Sequence, residues 1–410
     1  MTLIKPFAAL RPEITFAEDV VAPPYDVLSS DEARTKVVGK PYSFLHISKP
    51  EIDLPEGTNP FSPEVYQTGA KNLKKLIDAN ILLRDDSDHY YVYRLVMNGH
   101  SQTGIVAVAS VSAYDSNRIR KHEFTRPEKE DDRVKQIDAL NAQTGPVFLT
   151  YRQDNNVDSI INEICSNAPL YDLIADGGVQ HTIWRSETAQ QIDSLTSLFN
   201  QMDCLYIADG HHRSAAASRV AAERKNTASD QEMSDYFLSV IFPDNQMNIL
   251  DYNRVVKDLN GLSVDDILSR VSDSFIVSKA NSAVKPGAAM EFGMYLDGQW
   301  YRLKTKTECI PDNDPVASLD VSLLQNLLIE PILGISDPRR DKRIDFVGGI
   351  RGLGELEKRV NSGDMAIAFS LYPTSMQALM SVADANEVMP PKSTWFEPKL
   401  ADGLISHVLD

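Results

Sequence analysis

The sequence predicts a mixed α/β fold, with α+β character, organised as two domains. The chain has 410 residues, more than the ~100 to 200 of a typical domain. Hydrophobic residues make up 42% and charged residues 24%, which is the composition of an ordinary globular protein. Segments with the period of a strand alternate with segments that have the period of a helix, and there is no fixed internal repeat. Interleaved elements of this kind indicate a mixed α/β protein.

The first part of the chain contains two predicted helices and a hairpin. Residues 22–37 (APPYDVLSSDEARTKV) are a proline-stiffened turn followed by a helix that Ser29 or Ser30 caps through its side-chain oxygen. Residues 59–82 carry apolar side chains at helical spacing. Residues 89–114 are two strand-like runs joined by NGHS, a sequence typical of a hairpin turn.

The middle of the chain alternates helices and strands. Residues 118–151 comprise a charged loop, a helix from about Asp131, a Gly-Pro breaker and a strand. Residues 153–204 predict a helix, a strand and an amphipathic helix. Residues 206–225 pass from an apolar strand into an alanine-rich helix, and residues 236–259 have the pattern strand, turn, strand.

The pattern begins again in the last third. Residues 260–275 form a predicted helix, and a hairpin follows with Asp297 and Gly298 at its turn. The chain ends in a buried strand, a helix, a Pro-Pro turn and a polar and aromatic tail. We therefore assign residues 1–258 and 259–410 to two domains.

Charge, cysteine content and the N-terminal segment exclude several classes of protein. The formal net charge is -17, so binding to nucleic acid or to an anionic membrane is disfavoured. The three cysteines lie far apart and form no CxxC pair, which argues against a disulfide framework and a structural zinc site. The opening segment MTLIKPFAALRPEITFAEDV has no long apolar run and predicts neither a signal peptide nor an anchor. We expect a cytoplasmic protein that binds small molecules, with no nucleic-acid or membrane partner, and a homo-oligomer is compatible with the sequence.

The transition from strand to helix within residues 206–225 contains the strongest candidate site. Free amide N–H groups at a helix start, together with the helix dipole, form an anion site, and Gly210 permits close approach. Arg213 adds a bidentate donor for phosphate oxygens, and the two histidines can donate to phosphate or transfer protons. A capped helix is one alternative, and a metal site is another, although adjacent helical histidines point about 100° apart. The candidate residues are Asp209, Gly210, His211, His212 and Arg213.

A second candidate is the charged loop with the sequence RKHEFTRPEKEDDR. His122 and Glu123 do not belong to a zinc-binding HExxH helix, because Arg126 occupies the fourth position after His122 and a proline follows. Glu123 is a loop carboxylate flanked by cations, which suits a general base, and an ordinary solvated turn is the alternative. Arg126 and Arg133 are candidate anion contacts.

Three further segments contain groups that could hold a substrate. Lys392, Ser393 and Thr394 offer one cation and two hydroxyls for a carboxylate or phosphate, with a terminal turn as the alternative. Arg254 lies on the predicted strand DYNRVV, and the PYDV segment near the N-terminus could form a lid or the second half of a pocket. No GxxxxGK[ST], GxGxxG or GxSxG motif occurs.

These motifs together resemble those of a large bacterial and archaeal family with an N-terminal PF.A.RP and PYDV, a central ADGHHR and a later DYNRVV. That family in turn resembles the ADP-dependent free serine kinases, whose motifs are a PHE loop, DGHHR and a C-terminal PKTT. Here KHE, DGHHR and PKST follow one another in the same order. The resemblance implies a ParB/sulfiredoxin-like core with an N-terminal elaboration, and a C-terminal α/β domain that completes the site.

The resemblance also implies phosphoryl transfer on free L-serine or O-phosphoserine, with ADP or ATP and optionally Mg2+ as cofactors. Glu123 would be the general base, and Asp209 would position the hydroxyl or a Mg2+ ion. The implied catalytic, phosphate-binding and substrate-binding groups are Glu123, Asp209 and His211; Gly210, His212 and Arg213; and Lys392, Ser393, Thr394, Arg126 and Arg254. The same residues also serve the reverse reaction, so a phosphoserine phosphatase is an alternative. A non-catalytic, ParB-like nucleotide-binding regulator is another.

The sequence departs from the kinase motifs in two places. The stretch between Glu123 and Asp209 is longer than in the compact kinases, so the resemblance implies an insertion that folds away from the pocket. Ser393 replaces a threonine, and Trp395 and Phe396 replace an Arg-His pair. These changes leave the direction, the phosphoryl donor and the substrate open.

Overall fold

The computed structural model describes residues 2–225 and 232–410, which divide into two compact units. The first unit contains Met1–Met247 and Pro398–Asp410. The second contains Asn248–Glu397. The last residues of the chain therefore belong to the same unit as its N-terminal half.

Strands and helices are numbered here in chain order. The strands are β1 (Ile4–Lys5), β2 (Leu10–Pro12), β3 (Leu82–Arg84), β4 (Tyr91–Met97), β5 (His100–Ser110), β6 (Ile119–Arg120), β7 (Ala142–Gln143), β8 (Val147–Tyr151), β9 (Tyr171–Ile174), β10 (Gln180–Arg185), β11 (Leu205–Asp209), β12 (Tyr236–Pro243), β13 (Ile249–Leu250), β14 (Tyr252–Val256), β15 (Phe275–Ala280), β16 (Glu291–Leu296), β17 (Gln299–Thr305), β18 (Ile344–Gly348), β19 (Ile367–Leu371), β20 (Trp395–Phe396) and β21 (His407–Val408). The α-helices are α1 (Ala17–Val20), α2 (Ser30–Lys36), α3 (Leu45–Ser48), α4 (Pro63–Asp78), α5 (Val111–Asp115), α6 (Pro127–Leu140), α7 (Asn155–Cys165), α8 (Ala189–Gln201), α9 (His211–Lys225), α10 (Val264–Ser274), α11 (Asp320–Leu324), α12 (Glu330–Leu333), α13 (Leu353–Asn361) and α14 (Met376–Asp384).

A nine-stranded sheet organises the first unit. Its strands follow the order β6-β11-β8-β12-β5-β4-β10-β9, and β1 also pairs with β5. The pairs β6–β11 and β8–β12 are parallel, whereas the others are antiparallel. The central strands β8 and β12 are apolar and almost wholly buried, as expected for strands covered on both faces. Their side chains, among them Leu149, Tyr151 and Phe237, join Phe199 in the main hydrophobic core.

Helix α9 is held against α6 with the N-terminal ends of the two helices together. Val134 and Ile137 of α6 pack on Ala216 and Val220 of α9. Arg219 in the middle of α9 pairs with Asp131 at 2.8 Å, and Arg224 further along α9 pairs with Asp138 at 3.4 Å, so the two helices run in the same direction. Because both helices begin at the same end, the loop that leads into α6 lies beside the loop that leads into α9.

A six-stranded antiparallel sheet organises the second unit. Its strands follow the order β15-β17-β16-β19-β14-β18. Val255, Trp300, Leu356 and Ala368 belong to the hydrophobic core between this sheet and α13. This unit is therefore an α/β structure with a core of its own.

The predicted fold class, mixed α/β, is confirmed, and so are both hairpins. Asn98 and Gly99 have φ values of 51° and 80° at the turn between β4 and β5. Asp297 and Gly298 have φ values of 49° and 75° between β16 and β17. Two successive positive φ values are what a two-residue type I′ turn requires, and Asn-Gly and Asp-Gly tolerate them best.

One predicted helix start agrees with the structure, and a second lies several residues too late. Ser29 caps α2 in a complete capping box with Glu32, as the sequence indicates. The helix expected from about Asp131 begins earlier, at Pro127. The proline was interpreted as part of the loop, but a proline fits the first helical turn, where its missing N–H is not needed.

The units are divided differently from the predicted division after residue 258. Strand β14 pairs with β18 and β19, so the second unit begins at Asn248. At the other end of the chain, β21 pairs with β7 of the first unit. Within the stretch that separates the KHE and DGHHR motifs, β9 and β10 lie at the opposite edge of the sheet from β11.

Candidate functional site

The DGHHR motif lies where β11 ends and α9 begins, as predicted. Gly210 has a φ of 100°, a left-handed value that favours glycine. A Cβ at this position would lie 3.2 Å from the Arg213 guanidinium and 3.3 Å from the Val147 Cα, so the space is closed as well. Gly210 accepts the first helical hydrogen bond, from the Ser214 N–H. The amides of the first helical turn therefore have no partner within the helix.

Both histidines of the motif hold the KHE loop through its backbone. The His122 N–H lies 3.4 Å from the His211 Nε2, and the Arg126 N–H donates to the His212 Nε2 at 3.0 Å. A ring nitrogen that accepts from a backbone N–H carries no proton itself. These Nε2 atoms, which were predicted to serve phosphate or proton transfer, are therefore occupied in anchoring the loop on either side of Glu123.

The structure brings Glu123 and His211 together. The Glu123 carboxylate is half exposed, and its Oε2 lies 3.8 Å from the His211 Nδ1. Because the His211 Nε2 accepts from the backbone, the neutral ring carries its proton on Nδ1, on the side that faces the carboxylate. His211 can thus orient the Glu123 carboxylate, which stays accessible to solvent.

Burial keeps the histidines at this corner neutral. Burial lowers the pKa of His122 to about 4, and the His211 pKa also lies well below its ordinary value because of burial and the neighbouring His122. The two rings pack edge to face with centroids 4.5 Å apart. A neutral His211 next to Glu123 leaves the carboxylate as the proton acceptor of the pair.

Asp209 lies between two cations. Its Oδ2 is 3.3 Å from the Lys399 Nζ and 3.7 Å from an Arg213 nitrogen. Burial alone would raise the pKa of Asp209, but Lys399 first and Arg213 second outweigh burial and hold the pKa well below its usual range. Asp209 is therefore ionised at neutral pH and fixes an ammonium group at the strand end.

The Arg213 side chain is largely buried rather than extended into solvent. Its guanidinium packs against Gly210 and donates to the Pro146 carbonyl oxygen. It also lines a partly enclosed cavity with Tyr25 and Arg133. Arg133 was an anion candidate in the sequence, and Tyr25 belongs to the PYDV segment. Arg126, by contrast, has an exposed side chain next to the KHE loop.

The predicted substrate-binding residues of the C-terminal region lie in the second unit. Arg254 is buried on β14 and donates to the backbone oxygen of Lys392 at 3.0 Å. The Ser393 hydroxyl donates to the Pro390 carbonyl oxygen at 2.6 Å. Lys392 has a φ of 60°, so this segment turns sharply. Arg254 and the PKST segment therefore form one local cluster, in which the predicted role of Thr394 and its neighbours stays a prediction.

Of the two roles predicted for Asp209, positioning the substrate hydroxyl or holding a Mg2+ ion, the site does not support the second. The Asp209 carboxylate already has two cationic neighbours, which would repel a divalent ion. Within residues 2–225 and 232–410, no group of three or more His, Cys, Asp or Glu side chains is arranged to bind a metal.

Lys399 and Asp402 were missed by the sequence reasoning. Both lie in the tail that follows the PKST segment, where neither residue is part of a motif. Asp402 accepts from the Tyr25 N–H at 3.2 Å, and Lys399 pairs with Asp209. Only the sequence LADG around Asp402, similar to the ADG that opens the central motif, offered a signal.

No helix in the described part of the chain is both long and apolar enough to span a membrane.

A family model described as "Protein of unknown function (DUF1015)" matches residues 4–322. No curated protein matches the chain.

Several solved structures match the chain at low identity. A free serine kinase variant in complex with AMP is 12% identical, with 71% of this chain and 87% of that chain covered and a TM-score of 0.36. A conserved hypothetical protein from Pyrococcus furiosus is 14% identical, with coverages of 72% and 94% and a TM-score of 0.35. SbnI with a C-terminal truncation, from Staphylococcus aureus, is 10% identical, with coverages of 72% and 84% and a TM-score of 0.36.

Proposed function

Because the chain belongs to the DUF1015 family, whose description assigns no activity, we propose a function from the site itself: phosphoryl transfer between a nucleotide and the hydroxyl group of free L-serine. The observation that carries the proposal is the position of Glu123. Its half-exposed carboxylate lies 3.8 Å from a ring nitrogen of His211, the first residue of α9. A proton acceptor thus lies beside a helix N-terminus that attracts anions.

In the proposed reaction, Glu123 accepts the proton of the substrate hydroxyl. The hydroxyl oxygen then bonds to phosphorus as the bond to the leaving oxygen of the donor breaks. Proton removal of this kind contributes ~10^2 to 10^4 in rate. His211 is a positioning residue, because it holds the KHE loop and faces the Glu123 carboxylate.

Positive potential would stabilise the charge that develops on the transferring group. The free amides at the start of α9 and the helix dipole supply part of it. Lys399, fixed by Asp209, adds a full positive charge at the end of β11. Most of the catalytic effect in phosphoryl transfer comes from such positioning and charge stabilisation.

ADP or ATP, when bound, would supply the phosphoryl group. The residues predicted for its phosphates fit in part. The backbone N–H groups at the start of α9 have no partner within the helix. The His212 Nε2 and one Arg213 nitrogen, by contrast, already have protein partners. The motif resemblance to ADP-dependent free serine kinases supports the nucleotide and the substrate, and the ParB/sulfiredoxin-like core stays a prediction from that resemblance.

The test is an assay of the purified full chain by 31P NMR. One sample contains L-serine with ADP or ATP, and a second contains O-phosphoserine without nucleotide. Formation of O-phosphoserine in the first sample supports the proposal. Release of inorganic phosphate in the second alone would replace it with a phosphoserine phosphatase. Nucleotide binding without any turnover would replace it with a nucleotide-binding regulator.

A further inference from the structure

The first unit contains a partly enclosed cavity next to the start of α9. It leaves about 30 Å³ open to the centres of water molecules, room for roughly two of them. Its polar lining includes Tyr25, Ser48, Arg133, Arg213 and Asp402. A space of this size accepts a group of a few atoms and is too small for a nucleoside.

The lining contains an unpartnered hydroxyl group and two cationic side chains. The Ser48 hydroxyl is buried and has no hydrogen-bond partner among the described residues. Arg133 places its Nε and one terminal nitrogen on Asp132, at 2.9 Å and 2.5 Å, which occupies only part of its fork of five N–H donors. One terminal nitrogen of Arg213 donates to the Pro146 carbonyl oxygen, and the other lies 3.7 Å from the Asp209 Oδ2. An unpartnered buried hydroxyl beside two guanidinium groups indicates a ligand that accepts hydrogen bonds.

The wall of the cavity is rigid. The Arg133 guanidinium lies 4.0 Å from the centre of the Tyr25 ring, and Asp132 holds it from the other side. Asp402 accepts from the Tyr25 N–H at 3.2 Å, so the PYDV segment is tied to the C-terminal tail. The guanidinium groups of Arg133 and Arg213, both largely buried, can together bind a planar carboxylate.

Asp402 is the one acid in the lining. Burial raises the pKa of Asp402 to about 7, in spite of the opposing effect of Arg213. Near neutral pH a large fraction of this carboxyl is therefore protonated, and a protonated carboxyl can donate to a carboxylate instead of repelling it.

We propose that this cavity is the subsite for the carboxylate group of the small-molecule substrate, held by Arg133, Arg213 and the Ser48 hydroxyl. The proposal rests on the proposed function for the identity of the substrate as an amino acid. It differs from the sequence-based expectation, which gave the carboxylate to the PKST segment. The tight lining favours a carboxylate over the larger phosphate group.

Gly145 provides the sharpest test, because it lines the cavity and can accept a methyl group. A Cβ on Gly145 would lie 3.4 Å from the Arg213 Cδ and 3.9 Å from an Asp402 oxygen, which are ordinary contacts. Gly145→Ala should therefore fold normally and fill part of the space. Gly354→Ala is the matched control, because a Cβ there meets nothing within 4 Å.

The measurement is calorimetric binding of L-serine and of ethanolamine, which has the same hydroxyl and amino groups but lacks the carboxylate. We expect wild type to bind L-serine at least 10-fold more tightly than ethanolamine. Gly145→Ala should weaken L-serine binding at least 10-fold, and the control should not. Ser48→Val, which removes an unpartnered hydroxyl and fills the same space, should act in the same direction. Equal binding of the two ligands to wild type, or unchanged L-serine binding by both cavity variants, would overturn the subsite.

The subsite proposal and the phosphotransferase proposal can fail independently, and the two failures give different results. If Gly145→Ala weakens serine binding but wild type transfers no phosphoryl group, the subsite stands and the phosphotransferase proposal fails. If wild type transfers phosphate and Gly145→Ala retains the wild-type KM for serine, the subsite proposal fails and the phosphotransferase stands.

Discussion

Two arginines, the largely buried Arg213 in the first unit and the buried Arg254 in the second, have opposite electrostatic surroundings. Arg213 has Asp209 within 3.7 Å, and Asp209, Asp26 and Tyr25 raise its pKa although burial opposes them. Among the described residues, Arg254 donates to two carbonyl oxygens, and burial lowers its pKa to about 10. The comparison indicates that Arg213 belongs to a charged network, whereas Arg254 acts mainly as a donor that joins backbone segments.

The partners of Arg254 explain why its charged side chain can be buried in the second unit. It donates to the oxygens of Tyr252 and Lys392, and its Cζ lies 5.1 Å from the centre of the Phe346 ring. A guanidinium is less strongly hydrated than an ammonium and stacks on aromatic rings, so its burial costs less. Removal of Arg213 and removal of Arg254 should therefore have different consequences.

The largest effect is expected for Arg213→Met. This change removes the Arg213 donor to the Pro146 carbonyl oxygen. It also removes one of the two cations beside the Asp209 carboxylate and leaves Lys399 in place. Because the Asp209 carboxylate is about one third exposed, the loss should lie below that of a fully buried charge network, at about 2–3 kcal/mol. Urea unfolding of the variant should show this loss, and Arg219→Met, which removes an exposed ion pair, should lose less than about 1 kcal/mol. Equal losses of unfolding free energy in the two variants would mean that Arg213 contributes no more to stability than an exposed ion pair does.

Asp402→Asn should change how stability depends on pH. The raised pKa means that the folded state holds a proton more tightly than the unfolded state between pH 3.8 and about 7. The contribution of Asp402 to stability is therefore complete below pH 3.8 and is lost as pH rises towards 7, by at most about 4 kcal/mol. Arg213, Arg133 and Asp26 remain in the variant, so their effects cancel in the comparison.

The measurement is urea unfolding of wild type and Asp402→Asn at pH 5 and pH 8. The variant should gain stability relative to wild type at the higher pH, because asparagine can still accept from the Tyr25 N–H and does not ionise. A difference that is the same at both pH values would show that Asp402 has an ordinary pKa.

Arg254→Met should cost less than Arg213→Met. Methionine has a similar length and no charge to bury, so the loss is mainly that of two hydrogen bonds to backbone oxygens, about 1–2 kcal/mol. Urea unfolding measures it under the conditions used for Arg213→Met. A loss as large as that of Arg213→Met would show that Arg254 has charged partners and that the contrast between the units is wrong.

The smallest effect is expected for His212→Leu. The Arg126 N–H loses its acceptor, but it lies at an exposed helix start where water can replace the ring, so stability should fall by about 1 kcal/mol or less. Hydrogen exchange should become faster in residues 121–126. His212→Gln, whose side-chain oxygen can accept from the same N–H, should restore protection. Unchanged exchange in His212→Leu would mean that His212 does not anchor the KHE loop.

Local signals in the sequence predicted much of the fold and part of the site. Capping by Ser29, the two Asn-Gly and Asp-Gly turns, and the strand-to-helix transition at Gly210 depend on a few neighbouring residues, so they could be predicted. The start of α6 was misplaced because Pro127 is compatible with both a loop and a first helical turn.

Contacts between distant segments could not be derived in the same way. Lys399 reaches Asp209 across 190 positions, and Asp402 reaches the Tyr25 N–H across 377. Such pairs depend on tertiary packing, which short patterns do not encode. The proximity of Glu123 to the DGHHR motif was expected only from the resemblance to the serine kinases. The anchoring role of His211 and His212 depends on which ring nitrogen meets a backbone N–H, and no sequence pattern specifies this.

Glu123→Gln tests the central claim most directly, in a comparison of turnover and L-serine binding with those of wild type and Glu128→Gln. Glutamine keeps the shape of the side chain but cannot take the hydroxyl proton. Phosphoryl transfer to serine should therefore fall by ~10^2 to 10^4 while serine binding stays within a few-fold of wild type. Glu128→Gln, an exposed change in the first turn of α6, should leave both unchanged. Transfer by Glu123→Gln at the wild-type rate would contradict the account.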